Sequence, residues 1–155
     1  MNPVLPHFRT LLDDFATEVG MATCPIDEDG VCTLLFKKRW IVNIAQRTQR
    51  EEILLFASLG ELPAEGRTKL LCSMLATNDA PQETTTVLTL ARDRRTAVAF
   101  SRAKLGDLNL TDFDKWIRSF LEVVRTWAPK YHEGMPTVPA FDRPVSPAVH
   151  QFLRG

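Results

Sequence analysis

The side chains of this sequence that could act as nucleophiles or metal ligands lie far apart along the chain. They are Cys24, Cys32, Cys72, His7, His132 and His150. No two cysteines form a CxxC pair, three cysteines cannot all pair within one chain, and the histidines lack the close spacing of a metal site. We therefore expect no metal centre and no disulfide framework, and cysteines that are reduced and mostly buried.

Cys72 is the cysteine whose surroundings the sequence describes best. It lies in the apolar stretch "LLCSMLATN", residues 70–78, which reads as helix. A nucleophilic thiol needs an accessible, electropositive setting that lowers its pKa, and this stretch predicts a buried, inert thiol instead. An enzyme centred on Cys72 or a histidine is kept as a rival interpretation.

One acidic cluster and the common phosphate motifs complete the search for chemistry. Asp27, Glu28 and Asp29 precede Gly30, but the fuller calcium loop with its distal glutamate is absent, so a turn is predicted. The sequence contains no GxGxxG, no GxxxxGK[ST] and no HExxH. The residues therefore indicate no phosphate-binding loop and no metal site, and we predict that the protein carries no cofactor.

Composition narrows the class of partner. The chain has 19 basic and 19 acidic residues and a formal net charge of +0, so no overall field attracts nucleic acid or an anionic membrane. Two basic clusters, "FKKRW" and "RDRR", are interpreted as solvated turn charges. The apolar runs are shorter than the roughly 20 residues of a bilayer span, and the N-terminus lacks a secretory pattern. The prediction is a cytoplasmic protein that binds neither nucleic acid nor membrane.

The elements that must position these residues follow from hydrophobic periodicity. The pattern predicts a first helix and then strands over residues 31–36, 40–46 and 53–60, arranged as an antiparallel meander. A helix over residues 63–78 follows, ended by Asn78 and Pro81, and then strands over residues 84–91 and 96–101. The last helix is expected to start near Thr111, with Asp114 completing a capping box.

The fold class is therefore α+β. The order is α-β-β-β-α-β-β-α, with a twisted antiparallel five-stranded sheet, three helices and a proline-rich C-terminal tail. Residues 1–130 are assigned to the folded domain and residues 131–155 to the tail, where prolines are dense.

Two patterns suggest that one copy of the chain has more apolar surface than it can bury. The strands "WIVNIAQ" and "ILLFASLG" have apolar residues at both alternating sets of positions, whereas a sheet with one wet face alternates apolar with polar. The apolar arc of residues 70–78 is wider than one inner contact requires. A two-fold partner packing on this helix explains the arc. Burial of the helix by the proline-rich tail is the alternative.

The succession "LGELP", "LLCSMLATN" and "LNLTDFDKWIRSFLEVVRTW", together with "DEDG" leading into "VCTLLF", resembles the class I type III secretion chaperones, the Tir-chaperone-like family. The likeness covers about residues 5 to 130. It implies a small cytoplasmic homodimer without enzymatic activity, which holds the N-terminal segment of a secreted effector in extended, export-competent form. The secretion ATPase is a further candidate partner.

The resemblance also implies where partners bind. Its second helix builds the dimer interface, which assigns Leu70, Leu71, Met74 and Leu75 to that role. The first helix and the sheet provide apolar patches for the effector, and the candidates are Phe8, Leu12, Val31, Leu35, Ile41 and Leu54. A regulatory or structural protein-binding module on the same scaffold, unconnected with secretion, is the alternative. Three roles stay open for the tail: it occupies the binding groove of its own dimer, caps the domain or is disordered.

Overall fold

The computed structural model describes residues 3–79 and 85–131. Within them the chain forms three α-helices and five β-strands. They are α1 (Pro6–Glu18), β1 (Val31–Phe36), β2 (Trp40–Arg47), β3 (Glu52–Glu61), α2 (Arg67–Asp79), β4 (Val87–Leu90), β5 (Thr96–Lys104) and α3 (Leu110–Trp127). The predicted α+β class, order and five-stranded antiparallel sheet are confirmed. The proline-rich tail, Pro81, His132 and His150 lie outside the described residues.

The strand order in the sheet is β1-β2-β3-β5-β4, and every neighbouring pair is antiparallel. The first three strands form the predicted meander. The chain then passes through α2 to the edge strand β4 and returns inward, so that β5 pairs with β3 along almost its whole length. β1 and β4 are therefore the two edges of the sheet.

Helices α1 and α3 pack on one face of the sheet and form the main core with it. Phe8, Phe15, Phe113 and Phe120 are among its largest side chains and are fully buried. The rings of Phe15 and Phe113 meet edge to face, with centroids 5.4 Å apart, an arrangement that aromatic quadrupoles favour. This packing joins the first helix to the last and fixes both against the sheet.

Buried polar side chains tie the outlying segments to this core. Gln46 on β2 accepts a hydrogen bond from Leu5 N–H and donates one to Pro3 O, each at 2.8 Å. Gly30 lies against the same side chain with φ +80, and a Cβ there would approach Gln46 Nε2 to 3.2 Å. On β5, buried Ser101 Oγ accepts from Trp116 Nε1 of α3 at 2.8 Å, which leaves no buried hydroxyl unpaired at that point.

The predicted start of the second helix and the predicted cap of the last helix are wrong. α2 begins at Arg67 and not near Pro63, because Gly66 has the left-handed φ of +72 that stops a helix from extending backwards through it. α3 begins at Leu110. Its N-cap is Asn109, whose side chain accepts from Asp112 N–H at 2.8 Å, so the Thr111–Asp114 capping box does not form. A short amide side chain satisfies the first free N–H as well as a threonine would.

The folded part continues through Tyr131, which is buried against the core.

None of the helices in residues 3–79 and 85–131 combines the length and the apolar character needed to traverse a bilayer.

Candidate functional site

Within residues 3–79 and 85–131, α2 is the least buried of the three α-helices and carries the most exposed large apolar side chain. Met74 alone among the residues of α2 is fully buried, and Leu70 and Leu71 are partly buried against the main core. Leu75, one residue further on, is 69% exposed. At about 100° per residue, Leu71 and Leu75 lie about 40° apart on the same side of the helix, with Leu75 further round from the buried Met74.

The solvent side of α2 continues this apolar character. We call the residues Leu71, Cys72, Leu75 and Ala76 the α2 stripe. Cys72 is exposed, so the prediction of a buried thiol at this position is wrong. The burial was inferred from the apolar neighbours, of which Met74 is buried, but Cys72 lies about 160° around the helix from Met74, on the side that faces solvent. Of the four residues assigned to a dimer interface, Leu71 and Leu75 reach this side, while Leu70 and Met74 face the core.

Asn78 attaches the end of α2 to the edge of the sheet. Its Nδ2 donates to Leu88 O at 2.7 Å, and its Oδ1 accepts from Leu88 N–H at 2.9 Å. The amide thus makes both hydrogen bonds that a neighbouring strand would make to Leu88, at the outer edge of β4. The sequence suggested only a helix terminator here, because a side chain that pairs with a distant backbone leaves no local pattern.

The sheet face opposite α1 and α3 carries a second, smaller apolar cluster. Its buried members are Val31, Ala45, Leu54 and Phe56, with Phe100 partly buried beside them. This cluster contains no residue of a described helix. On the same side of the sheet, beyond the Thr33–Asn43 pair whose side chains are hydrogen-bonded at 2.8 Å, lie Leu35 and Ile41, directly opposite each other on β1 and β2. We call this whole surface the open face.

The six candidate effector contacts fall into three groups. Phe8 and Leu12 are fully buried on the inner side of α1, so a peptide on the surface of one copy of the chain cannot reach them. Val31 and Leu54 form the floor of the open face and are nearly buried. Leu35, which is 54% exposed, and the half-buried Ile41 are the accessible pair. Periodicity identified the apolar side of α1, but it could not say that α3 covers that side.

The edge of the sheet beside the open face is partly closed. Asp27 Oδ1 accepts from Val31 N–H at 2.9 Å, and Asp27 N–H donates to Val31 O at 2.9 Å. The cluster of Asp27, Glu28 and Asp29 is therefore a turn whose first carboxylate is engaged by its own backbone. This closure ends at the start of β1, and the exposed Leu35 lies further along the same edge strand.

Side chains capable of chemistry do not converge in the described part of the chain. No group of three or more His, Cys, Asp or Glu residues in residues 3–79 and 85–131 could hold a metal ion. Cys24 and Cys32 are buried side by side; the hydrogen bond from Cys32 lowers the pKa of Cys24, and the same contact together with burial raises the pKa of Cys32. Burial raises the pKa of Tyr131 to about 12. Its hydroxyl has no hydrogen-bond partner among the described residues. The features that could bind a partner are surfaces: the α2 stripe and the open face.

A family model and a relative match most of this chain. The model of the Tir chaperone protein (CesT) family matches residues 10–128. A Chlamydia pneumoniae protein, CPj0713/CpB0740, is 34% identical over 120 residues, which cover 76% of this chain and 90% of that protein.

Solved structures share the fold at lower identity. One is the HopA1–SchA chaperone–effector complex, with a TM-score of 0.67 and 22% identity over 79% of this chain and 94% of the matched chain. Another is the Yersinia pestis type III secretion chaperone SycH in complex with a stable fragment of YscM2. Its TM-score is 0.64 at 24% identity, over 77% of this chain and 98% of the matched one.

Proposed function

Because the chain belongs to the Tir chaperone protein (CesT) family, we propose that it is a chaperone of a type III secreted effector. In this proposal it works in the bacterial cytoplasm as a homodimer, without enzymatic activity. It binds the N-terminal segment of the effector in extended form and so keeps that protein soluble and competent for export. The secretion ATPase is proposed as the partner that receives the complex.

The observation that carries the homodimer is the exposure of α2. A helix of 13 residues with one fully buried side chain gains little from its own fold, while Leu75 exposes most of its surface. Burying a leucine side chain contributes about 1.5–3 kcal/mol, and a two-fold axis doubles every such contact. Packing the α2 stripe on its own copy therefore stabilises both the helix and the pair.

The open face supports the binding of an extended client. An extended peptide exposes side chains alternately, and it can add main-chain hydrogen bonds at a sheet edge while alternate side chains fill apolar sites. Leu35 and Ile41 form such a site beside the β1 edge, whereas Asn78 occupies the β4 edge at Leu88. Client binding along β1 and the open face fits both facts.

The homodimer is tested by changing the α2 stripe. Leu75→Glu leaves the fold of one copy intact, because the side chain is already exposed, but it places a charge in the proposed interface. We expect the dimer dissociation constant to rise about a hundredfold or more, measured by sedimentation equilibrium. Ser73→Glu, on the opposite side of the same helix, is the matched control and should remain dimeric. A wild-type protein that is monomeric at high concentration would refute the homodimer.

The chaperone role is tested by co-expression with N-terminal fragments of secreted effectors from the same bacterium. The expected result is a soluble complex. The fragment alone should be protease-sensitive, and the bound fragment should show no globular unfolding transition. Capture of folded proteins only, with every unfolded fragment rejected, would favour a regulatory module on this scaffold instead.

A further inference from the structure

One end of the sheet of this net-neutral protein is rich in exposed cationic side chains. The β1–β2 loop, residues 37–39, is entirely cationic, and the β4–β5 loop, residues 92–95, contains three arginines around Asp93. All these side chains are exposed. Glu61 at the end of β3 and Glu65 before α2 add two acidic residues, and Arg67, the first residue of α2, adds a further cation.

Strand register places the two hairpin loops at the same end of the sheet. Phe36 pairs with Trp40 across the first loop, and Leu90 with Ala97 across the second. β3 ends between them: Leu62 N–H donates to Arg95 O at 2.8 Å. Arg67 at the start of α2 belongs to the same region, because its Nη2 donates to Arg94 O at 2.9 Å.

The backbone of both loops is held in a conformation that their residues disfavour. Lys37 and Lys38 have φ values of 50 and 56, and Arg94 has a φ of 57. Arg39 N–H donates to Phe36 O at 3.0 Å, which closes a turn whose two central residues are both left-handed. Asn-Gly is the favoured pair in such a turn, and residues with a Cβ cost about 1 kcal/mol or more there. Two exposed lysines at these positions weaken the hairpin and gain no packing.

From this placement we propose that the cationic end of the sheet binds an acidic polypeptide segment that extends across both hairpin loops. The inference rests on the proposed function for the polypeptide nature of the partner, and it adds that the client carries acidic residues beside its apolar ones. Leu35, two residues before Lys37, is exposed, and the Arg39 guanidinium lies 4.6 Å from the ring centroid of Trp40. The β1–β2 loop thus offers both apolar and cationic contacts. A client segment that carries apolar and acidic side chains could use both.

The dimensions of the sheet set the spacing of the carboxylates. The midlines of the two hairpins are three strand separations apart in the order β1-β2-β3-β5-β4, or roughly 14 Å. An extended chain covers that distance in about four residues, and residues i and i+4 point to the same side. Acidic side chains four residues apart in the client therefore match the spacing of the two loops. Glu61 lies between the loops, and its charge disfavours a client carboxylate at i+2.

The test uses a rhodamine-labelled glycine–serine peptide with glutamates at positions i and i+4, titrated by fluorescence anisotropy at low ionic strength. A peptide with glutamine in place of both glutamates, and a peptide with glutamates at i and i+2, should both bind the protein more weakly than the first peptide. The K37N/K38G variant removes two charges and relieves the turn, so it should melt at a higher temperature yet bind the peptide about five- to tenfold more weakly. R95Q removes one charge from the second loop and should also weaken peptide binding. K115E on α3 is the control and should bind the peptide as the wild type does.

Unchanged peptide binding by K37N/K38G or by R95Q would overturn the proposal, and so would equal binding of the two glutamate spacings. Stronger competition by duplex DNA or tripolyphosphate than by unlabelled peptide would identify a polyphosphate site and would also overturn it. If effector fragments are retained while the glutamate peptide is not bound, only this inference fails. If the peptide binds and no effector fragment is retained, the proposed function fails instead.

Discussion

Single side chains that bond to distant backbone determine how the outer parts of this protein are attached. Asn78 holds α2 to the edge of β4, and Gln46 holds the N-terminal segment to β2. Neither contact could be predicted from the sequence, because each joins residues that have no periodic relation. The sequence did identify Asn78 as noteworthy, but for helix termination, and the helix continues to Asp79.

At the residue scale, Asn78→Ala should destabilise the protein. The substitution removes two hydrogen bonds and leaves the N–H and C=O of the nearly buried Leu88 unpaired, at a cost of about 1–3 kcal/mol. Urea unfolding at a fixed protein concentration measures the free energy difference. Asp79→Ala, exposed and adjacent, should cost about 0.5 kcal/mol or less. Equal losses in the two variants would show that the amide contributes nothing specific.

At the scale of elements, the hairpins formed by neighbouring strands were predictable and the crossover was not. Turn signals and β-branched runs placed β1, β2 and β3 to within a residue or so. The insertion of β5 beside β3 depends on how α2 crosses the sheet, which no local pattern encodes. The same limit applies to α1: its apolar side was correctly identified, but Phe8 and Leu12 were taken as binding residues because coverage by α3 is a property of the assembled fold.

The β4–β5 hairpin should lose stability in acid through Asp93. Desolvation opposes the charge of this carboxylate, but hydrogen bonds from the N–H groups of Thr96 and Arg95 and from the Thr96 hydroxyl outweigh it, and the pKa of Asp93 is lowered. A carboxylate whose pKa is lower in the folded state than in the unfolded state, where it is about 3.9, stabilises the fold when the pH is above the unfolded-state pKa. This contribution disappears as the pH falls through the folded-state pKa.

The corresponding measurement compares the melting temperatures of the wild type and Asp93→Asn from pH 6 to pH 2. The wild type should be more stable at neutral pH, and the difference should shrink once the pH falls below about 4. The exposed Glu65→Gln variant should follow the wild type throughout. A difference that persists unchanged at pH 2 would exclude the charge of Asp93 as its cause.

At the scale of the whole molecule, the two proposed binding surfaces are separate. The α2 stripe lies on a helix, and the open face lies on the side of the sheet away from α1 and α3. Composition and strand alternation predicted surplus apolar surface, and the structure identifies where it is. They could not distinguish the nearly buried Val31 and Leu54 from the accessible Leu35 and Ile41, because all four occupy equivalent alternating positions of their strands.

This separation predicts that client binding and dimerisation can be altered independently. Leu35→Asp should weaken the retention of an effector fragment about tenfold or more, because one apolar contact is lost and a charge must be desolvated, and the sedimentation mass should stay that of a dimer. Val19→Asp at the end of α1, where the native valine is 40% exposed, is the matched control and should retain the fragment. Loss of dimerisation in Leu35→Asp would mean that the two surfaces are not separate.

The cationic end of the sheet also affects how copies of the protein meet in solution. Because the protein has no net charge, the excess of cations at that end is balanced by acidic residues elsewhere, and the molecule has a permanent dipole. In very dilute buffer such dipoles attract one another head to tail, and added salt weakens that attraction by screening it over about 10 Å at 0.1 M ionic strength. Solubility should therefore increase with the first additions of simple electrolyte, which is the behaviour that protein chemists call salting in.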